Sequence, residues 1–232
     1  IYLFGQSVSN HLTTDNIYNN KFFMFKWLML IICLVTVSTS VMADPLQPRL
    51  YDINNEKSFA RFVTKMCTAD IIKGEFKKFS GQIYFDEWEP ENSWVNVTLD
   101  ASSLSLDHEF HKDELLKDII EGDQILKAIN FPAIKLKSTK IERTSQNTGI
   151  MIADLTLVGE THPVELEVTF ENTMTDRYAT TIDINTVSFS AYGAFKRSEW
   201  NVLYGLDRIG IRRMSDDVQI FISAVATLHK EK

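Results

Sequence analysis

Cysteine is nearly missing from this chain. Its 232 residues include only two, Cys33 and Cys67, too few for the disulfide framework that staples small exported domains, so packing must stabilise the fold. Positive charge is scarce as well: 24 Lys and Arg stand against 31 Asp and Glu, for a formal charge of -7. An acidic chain suits neither a phosphate backbone nor an anionic membrane surface, which makes nucleic acid a poor partner class. Long hydrophobic runs are lacking too. The longest, from Trp27 to Val35, falls short of the roughly 20 apolar residues that a spanning helix requires.

Catalytic motifs are also missing. There is no Gly-x-Ser-x-Gly elbow, and the Gly205 to Gly210 stretch lacks the Lys-Ser/Thr of a phosphate loop. His108 and His111 would lie one turn apart on a helix, but no third metal ligand follows at a useful spacing. His162 sits beside Pro163 in an expected turn. The carboxylates Asp113, Glu114, Asp118, Glu121 and Asp123 bunch on one predicted helix and its end, where they read as a wet face. The expectation is a protein with no catalytic residues, no metal and no cofactor.

The N-terminal region divides in two. Met24-Phe25-Lys26, the apolar run and the small residues up to Ala43 have the parts of a secretory signal. Cleavage is expected after Ala43, and no stable membrane span would remain. Residues 1–23 contain no methionine and show no useful period, so they are expected to be a disordered upstream extension. Residues 44–232 then form one domain. Losing Lys21, Lys26 and Asp15 moves its formal charge from -7 to -8. Cys67, the one remaining cysteine, reads as a small apolar residue at a strand end.

What is present is alternation. After Phe131-Pro132, the run Ala133 to Ile141 alternates apolar and cationic residues, and Met151 to Val158 and Val164 to Phe170 have the same period of two. Gly159 and Pro163 bracket an expected tight reversal, so the last two runs should pair as a hairpin. Earlier strands are expected at Tyr51 to Ile53, Ser58 to Met66, twice within Ile71 to Asp86, and at Trp94 to Asp100. Gly74 and Gly81 are expected at bends or bulges. Later strands are expected at 178–185, 187–195 and 218–228, with an irregular, functional or mobile loop over 196–217. One helical island stands out, because Leu115, Leu116, Ile119 and Ile120 have helical spacing and Gly122 stops them. A second short helical turn is expected over 124–129.

This pattern predicts an all-β, mainly antiparallel fold: a closed barrel with one short helical insertion around 112–129. Alternation turns Val95, Val97 and Leu99 inward, then Ile134 and Leu136, Leu155 and Leu157, and Val164, Leu166 and Val168. The late strands add Phe189, Phe195, Ile220 and Ile222. Small residues, Ala153, Ala191, Gly193, Ala224 and Ala226, share the interior face. An eight-stranded barrel can be filled by side chains or can hold one ligand, and both readings stay open on this ground.

Several motifs in order resemble the YceI-like family. They are Gly74-Glu-Phe-Lys-Lys-Phe-Ser-Gly81 with Ile83-Tyr-Phe-Asp86, Val95-Asn-Val97, Asp100-Ala-Ser-Ser103, Phe131-Pro with Ser138-Thr139, Asp154-Leu-Thr-Leu157, and Gly159 with Thr161-His-Pro163-Val164. Ala191-Tyr-Gly193-Ala-Phe-Lys-Arg-Ser-Glu-Trp200 and Ser215-Asp-Asp-Val218 continue the likeness, which covers about Tyr51 to Leu228. The resemblance implies an extended, lipocalin-like barrel, exported to the periplasm, whose interior binds a polyisoprenoid or isoprenoid quinone, and it implies no catalytic residue. The inward residues named above would be the lipid-binding set. In relatives the helix region tends to read Arg-Asp-x-His-Leu followed by paired phenylalanines. Here it reads Lys117-Asp118-Ile119-Ile120 and later Ile125-Leu126, so polar contacts in the cavity should differ. A ligand-free barrel acting on a protein partner and a barrel enzyme using His108, His111 or Asp113 remain the alternatives, and a homodimer stays open.

Overall fold

Where apolar and polar residues alternate, a strand can bury one face and wet the other, and the structure uses nearly every such run. The computed structural model describes residues 48–66, 70–107, 112–122, 125–171, 185–206 and 214–230. The N-terminal extension and signal, Cys67, His108, His111 and nearly all of the strand expected over 178–185 lie outside the described residues. The strands are β1 (Arg49–Ile53), β2 (Phe59–Met66), β3 (Asp70–Phe76), β4 (Phe79–Phe85), β5 (Trp94–Asp100), β6 (Leu104–Asp107), β7 (Ala133–Arg143), β8 (Thr148–Leu157), β9 (Glu160–Phe170), β10 (Thr186–Lys196) and β11 (Met214–Leu228). The helix α1 spans Lys112–Glu121.

All pairings are antiparallel. The order β1-β4-β5-β7-β8-β9-β10-β11 returns to β1, because Tyr51–Ile53 of β1 pairs with Ala226–Leu228 of β11. This closes an eight-stranded barrel. Past Ala226, β11 pairs with β2 instead, from Ser223 to Met214, so β1 and β2 lie end to end along one flank of it. In the same way β4 and β3 follow one another, as do β5 and β6.

Three strands therefore kink at one level, and side chains fix the kinks. Asn54 Oδ1 accepts from the backbone N–H groups of Glu56 and Lys57. Asn55 donates to the Lys77 carbonyl at 3.0 Å and accepts from Phe79 N at 2.8 Å, tying the β1–β2 break to the β3–β4 break. Ser103 Oγ accepts from Lys78 N at 3.0 Å and ties that break to the one after β5. The corners thus fall at Asn54–Ser58, Lys77–Lys78 and Ala101–Ser103 rather than at Gly74 and Gly81. Gly74 has a different task. A Cβ there would lie 2.3 Å from the Phe62 ring, so its hydrogen leaves room for an aromatic on the neighbouring strand.

The β8–β9 reversal is tighter than the spacing suggested. Only Val158 and Gly159 turn, with φ of 53° and 83°, the doubly left-handed geometry that matches the twist of a two-residue hairpin. Pro163 lies inside β9, opposite Asp154. Counting outward from the closing pair Leu157 and Glu160, that position exchanges no ladder bonds with β8. Pairing of β9 with β10 begins only at Leu166, so the missing proline N–H costs no ladder bond on either side. Gly159→Ala forces a Cβ into a left-handed residue and against Phe131, 2.6 Å away. A loss of ~1–2 kcal/mol is expected from urea unfolding, and an unchanged midpoint would refute this account of the turn.

The helix α1 packs beside β6 and buries Ile119 at 4% exposure, while Leu116 and Ile120 pack against the core. Gly122 N caps the helix on the Asp118 carbonyl at 3.1 Å. The second helical turn expected over 124–129 does not form in the described part. Residues 125–130 make tight turns, with Lys127 at φ 49°, Leu126 N bonded to Ile119 O and Ala128 N bonded to Ile120 O. The segment expected as an irregular loop over 196–217 differs in its described parts. A 3-10 turn, Arg197–Trp200, follows β10 directly, Arg197, Trp200 and Val202 are buried, and β11 begins at Met214.

Candidate functional site

Inside the barrel the inward faces leave space. Two cavities of about 150 Å³ each abut along the interior and share Ala60, Leu136 and Ile222. Ala60 and Ile222 are register partners on β2 and β11, and Leu136 on β7 lies four strands further around the eight-stranded circuit, across the barrel. These three side chains form a waist. An eleven-residue strand such as β10 runs ~36 Å, or ~25–30 Å along the axis after tilt. The interior is therefore long and narrow.

The outer cavity is walled by Ile83 and Phe85 of β4, Val95 and Val97 of β5, Val168 and Phe170 of β9, and Phe189 of β10. Phe85, Phe170 and Phe189 pack on one another with ring centres 5.0 to 5.2 Å apart. At its end the lining turns polar, with Glu87, Glu142, Arg143, Gln146 and Asn147. Arg143 holds this rim by donating to the carbonyls of Ser145 at 3.0 Å and Gln146 at 2.7 Å, with a longer contact of 3.5 Å to Glu87.

The inner cavity lies on the helix side of the waist. Ile119 of α1, with Ile125 and Leu126, forms part of its wall, and Ile72, Phe62, Phe76 and Met214 complete much of the rest. Its polar lining is confined to Arg61, Thr64 and Arg197. Arg61 reaches outward, pairs with Glu75 at 2.7 Å and lies over the Phe59 ring. Thr64 donates to the Asp217 carbonyl at 3.0 Å. Arg197 is only 5% exposed, and burial lowers its pKa from the ordinary arginine value while Asp216 acts against that shift. The guanidinium stays charged at neutral pH.

Of the fourteen residues expected to face inward, the structure places Val95, Val97, Val168 and Phe189 on the outer cavity. Leu99, Ile134, Leu155, Leu157, Phe195 and Ile220 line the inner one, and Leu136 and Ile222 line both. Val164 and Leu166 are buried in the core, at 5% and 0% exposure, but line neither cavity. Phe85 and Phe170 escaped the sequence reading although each sits two residues beyond an inward neighbour, Ile83 and Val168. Arg197 gave no signal, because a cation after a strand normally reads as solvated. Among the described residues no cluster of His, Cys, Asp and Glu could hold a metal ion, and no helix is long and apolar enough to cross a membrane.

The comparisons bear on this geometry. The YceI-like domain family matches residues 51–226, from β1 to the end of the barrel circuit. The chain belongs to the YceI-like family. A UPF0312 protein of Pseudomonas savastanoi pv. phaseolicola is 32% identical over 120 residues, 51% of this chain and 59% of the relative, so that match spans less than two thirds of the relative's length. Among solved structures, Burkholderia cenocepacia BcnA is 26% identical, with a TM-score of 0.60 over 75% of this chain and 99% of BcnA. A polyisoprenoid binding domain from Saccharophagus degradans, implicated in plant cell wall breakdown, is 12% identical with a TM-score of 0.57 over 77% of this chain and 98% of that domain. At that identity the likeness concerns the fold. This YceI-like barrel is thus the lipocalin-like architecture expected from the sequence, with the kinked strands and α1 enclosing its inner end.

Proposed function

We propose that this protein is a periplasmic carrier that holds a long isoprenoid lipid, a polyisoprenoid or an isoprenoid quinone, inside its barrel. The observation that carries the reading is the pair of apolar cavities meeting at Ala60, Leu136 and Ile222. A flexible apolar chain threaded through both would leave water along most of its length, and each buried methylene contributes about 0.8 kcal/mol. Affinity of that kind needs no catalytic or metal-binding motif. Membership of the YceI-like family and the polyisoprenoid-binding description of the Saccharophagus fold relative support the ligand class. The signal-like segment at 24–43 supports export.

Native mass spectrometry of the protein beginning at Asp44, purified from periplasm, tests this reading. The expected result is one apolar molecule per chain, recovered in organic extract. An apo mass, with no uptake when isoprenoid quinones are offered, overturns it and favours a barrel that acts on a protein partner.

A further inference from the structure

Arg197 is a buried cation in the wall of an otherwise apolar cavity, and its bonds can be counted. Nε donates to Ser215 O at 2.8 Å, Nη1 to Val202 O at 2.6 Å, and Nη2 to Tyr204 O at 2.7 Å and Met214 O at 3.3 Å. A guanidinium has five N–H donors. Four are engaged by backbone carbonyls, and the second N–H of Nη1 has no acceptor among the described residues. Among the described residues no carboxylate pairs with the group. The nearby Asp216 spends both its oxygens on Ser198, accepting from N at 2.9 Å and from Oγ at 2.8 Å. Thr64, the other buried polar side chain of the inner cavity, has committed its hydroxyl to Asp217 O.

We infer that Arg197 is the polar anchor of the inner cavity and donates its remaining N–H to a carbonyl oxygen of a neutral head group, so the lipid enters head first. This rests on the carrier reading and narrows it to isoprenoid quinones. One donor suits one acceptor. A diphosphate would bring several strongly accepting, charged oxygens into an apolar chamber with a single N–H to meet them, and the unmet oxygens would lose their hydration without replacement. A quinone carbonyl loses little water and gains a charge-assisted bond in a low-dielectric site. Its isoprenoid tail then runs past the waist into the outer cavity, among Phe85, Phe170 and Phe189, and leaves by the polar rim at Arg143. The alternative pose, tail first with the head at that rim, makes no use of Arg197.

The test compares three ligands with the same tail length: menaquinone with a geranylgeranyl tail, geranylgeranyl diphosphate, and the hydrocarbon phytane. The wild-type protein should bind the quinone about tenfold or more tightly than phytane, and the diphosphate more weakly than the quinone. Arg197→Met should collapse the ratio of quinone to phytane affinity to near one, and Arg197→Lys should restore part of it. Should these variants not fold, the infrared carbonyl stretch of labelled menaquinone in the wild-type complex decides, because a bond to a guanidinium lowers it relative to a hydrocarbon solvent. Phytane binding without quinone preference, tighter diphosphate binding, or an unshifted carbonyl stretch overturns the anchor and leaves the carrier reading intact. No binding of any of the three overturns both.

Discussion

Trp200→Ala should destabilise the protein by about 3–5 kcal/mol, a large share of a typical domain's stability. The indole is fully buried at 0% exposure. Its Nε1–H donates to the Leu155 carbonyl at 2.8 Å, joining the 3-10 turn after β10 to β8 across the core. Edge-on contacts to Phe195 at 4.9 Å and to His162 at 5.1 Å hold the ring from two more sides. Alanine removes the ring and leaves a cavity, and the Leu155 carbonyl keeps only its ladder bond to His162 of β9. Trp200→Phe separates these effects, since it keeps most of the ring area and loses mainly the hydrogen bond, for about 0.5–1.5 kcal/mol. Urea unfolding followed by circular dichroism gives both values. A Trp200→Ala midpoint close to that of the wild type would show that the turn is a surface loop after all.

That turn marks the limit of what could be read from the residues alone. Alternation in β5, β8, β9 and β11 was legible because a strand with one buried face must repeat every two residues, and the parity of Val95, Val97 and Leu99 or of Leu155 and Leu157 follows from it. The helix α1 was legible for the same kind of reason, at a period of 3.6. The barrel corners were not. They depend on Asn55 meeting Lys77 and Phe79, and on Ser103 meeting Lys78, pairs more than twenty residues apart whose polar side chains look like ordinary turn residues. Arg197 was illegible on similar grounds. Its burial is sustained by carbonyls at positions 202, 204, 214 and 215, which no local pattern announces.

The empty space was equally hidden. A period-two pattern says which side chains point inward, but whether they fill the barrel depends on volumes summed across strands that are distant in sequence. Ala60, Ala191 and Ala224 line the outer cavity. Ala191 is the register partner of Ile222, and Ala224 that of Phe189. Small residues therefore stand beside large ones along one wall, and closure of the circuit brings this wall to face Leu136 of β7. Only the closed register reveals that they leave a passage rather than a packed layer.

Ala60→Phe should divide that passage. Ala60 is 9% exposed, lines both cavities and sits beside Ile222, with Leu136 across the barrel. A benzyl group added at the waist has nowhere to go but into the gap between them. Overpacking should cost stability by about 1–3 kcal/mol, a tolerable loss, whereas the effect on ligand should be much larger. A long isoprenoid that spans both cavities would lose whatever part it places beyond the ring, and exclusion of only four methylenes removes ~3 kcal/mol, more than a hundredfold in affinity. A short isoprenoid that fits within the outer cavity should lose far less. Titration of a long and a short isoprenoid hydrocarbon, neither carrying a head group for Arg197, against wild type and Ala60→Phe reads this as a change in their affinity ratio. If the variant kept the wild-type ratio, the lipid would not run through the waist, and the two cavities would have to be treated as separate chambers.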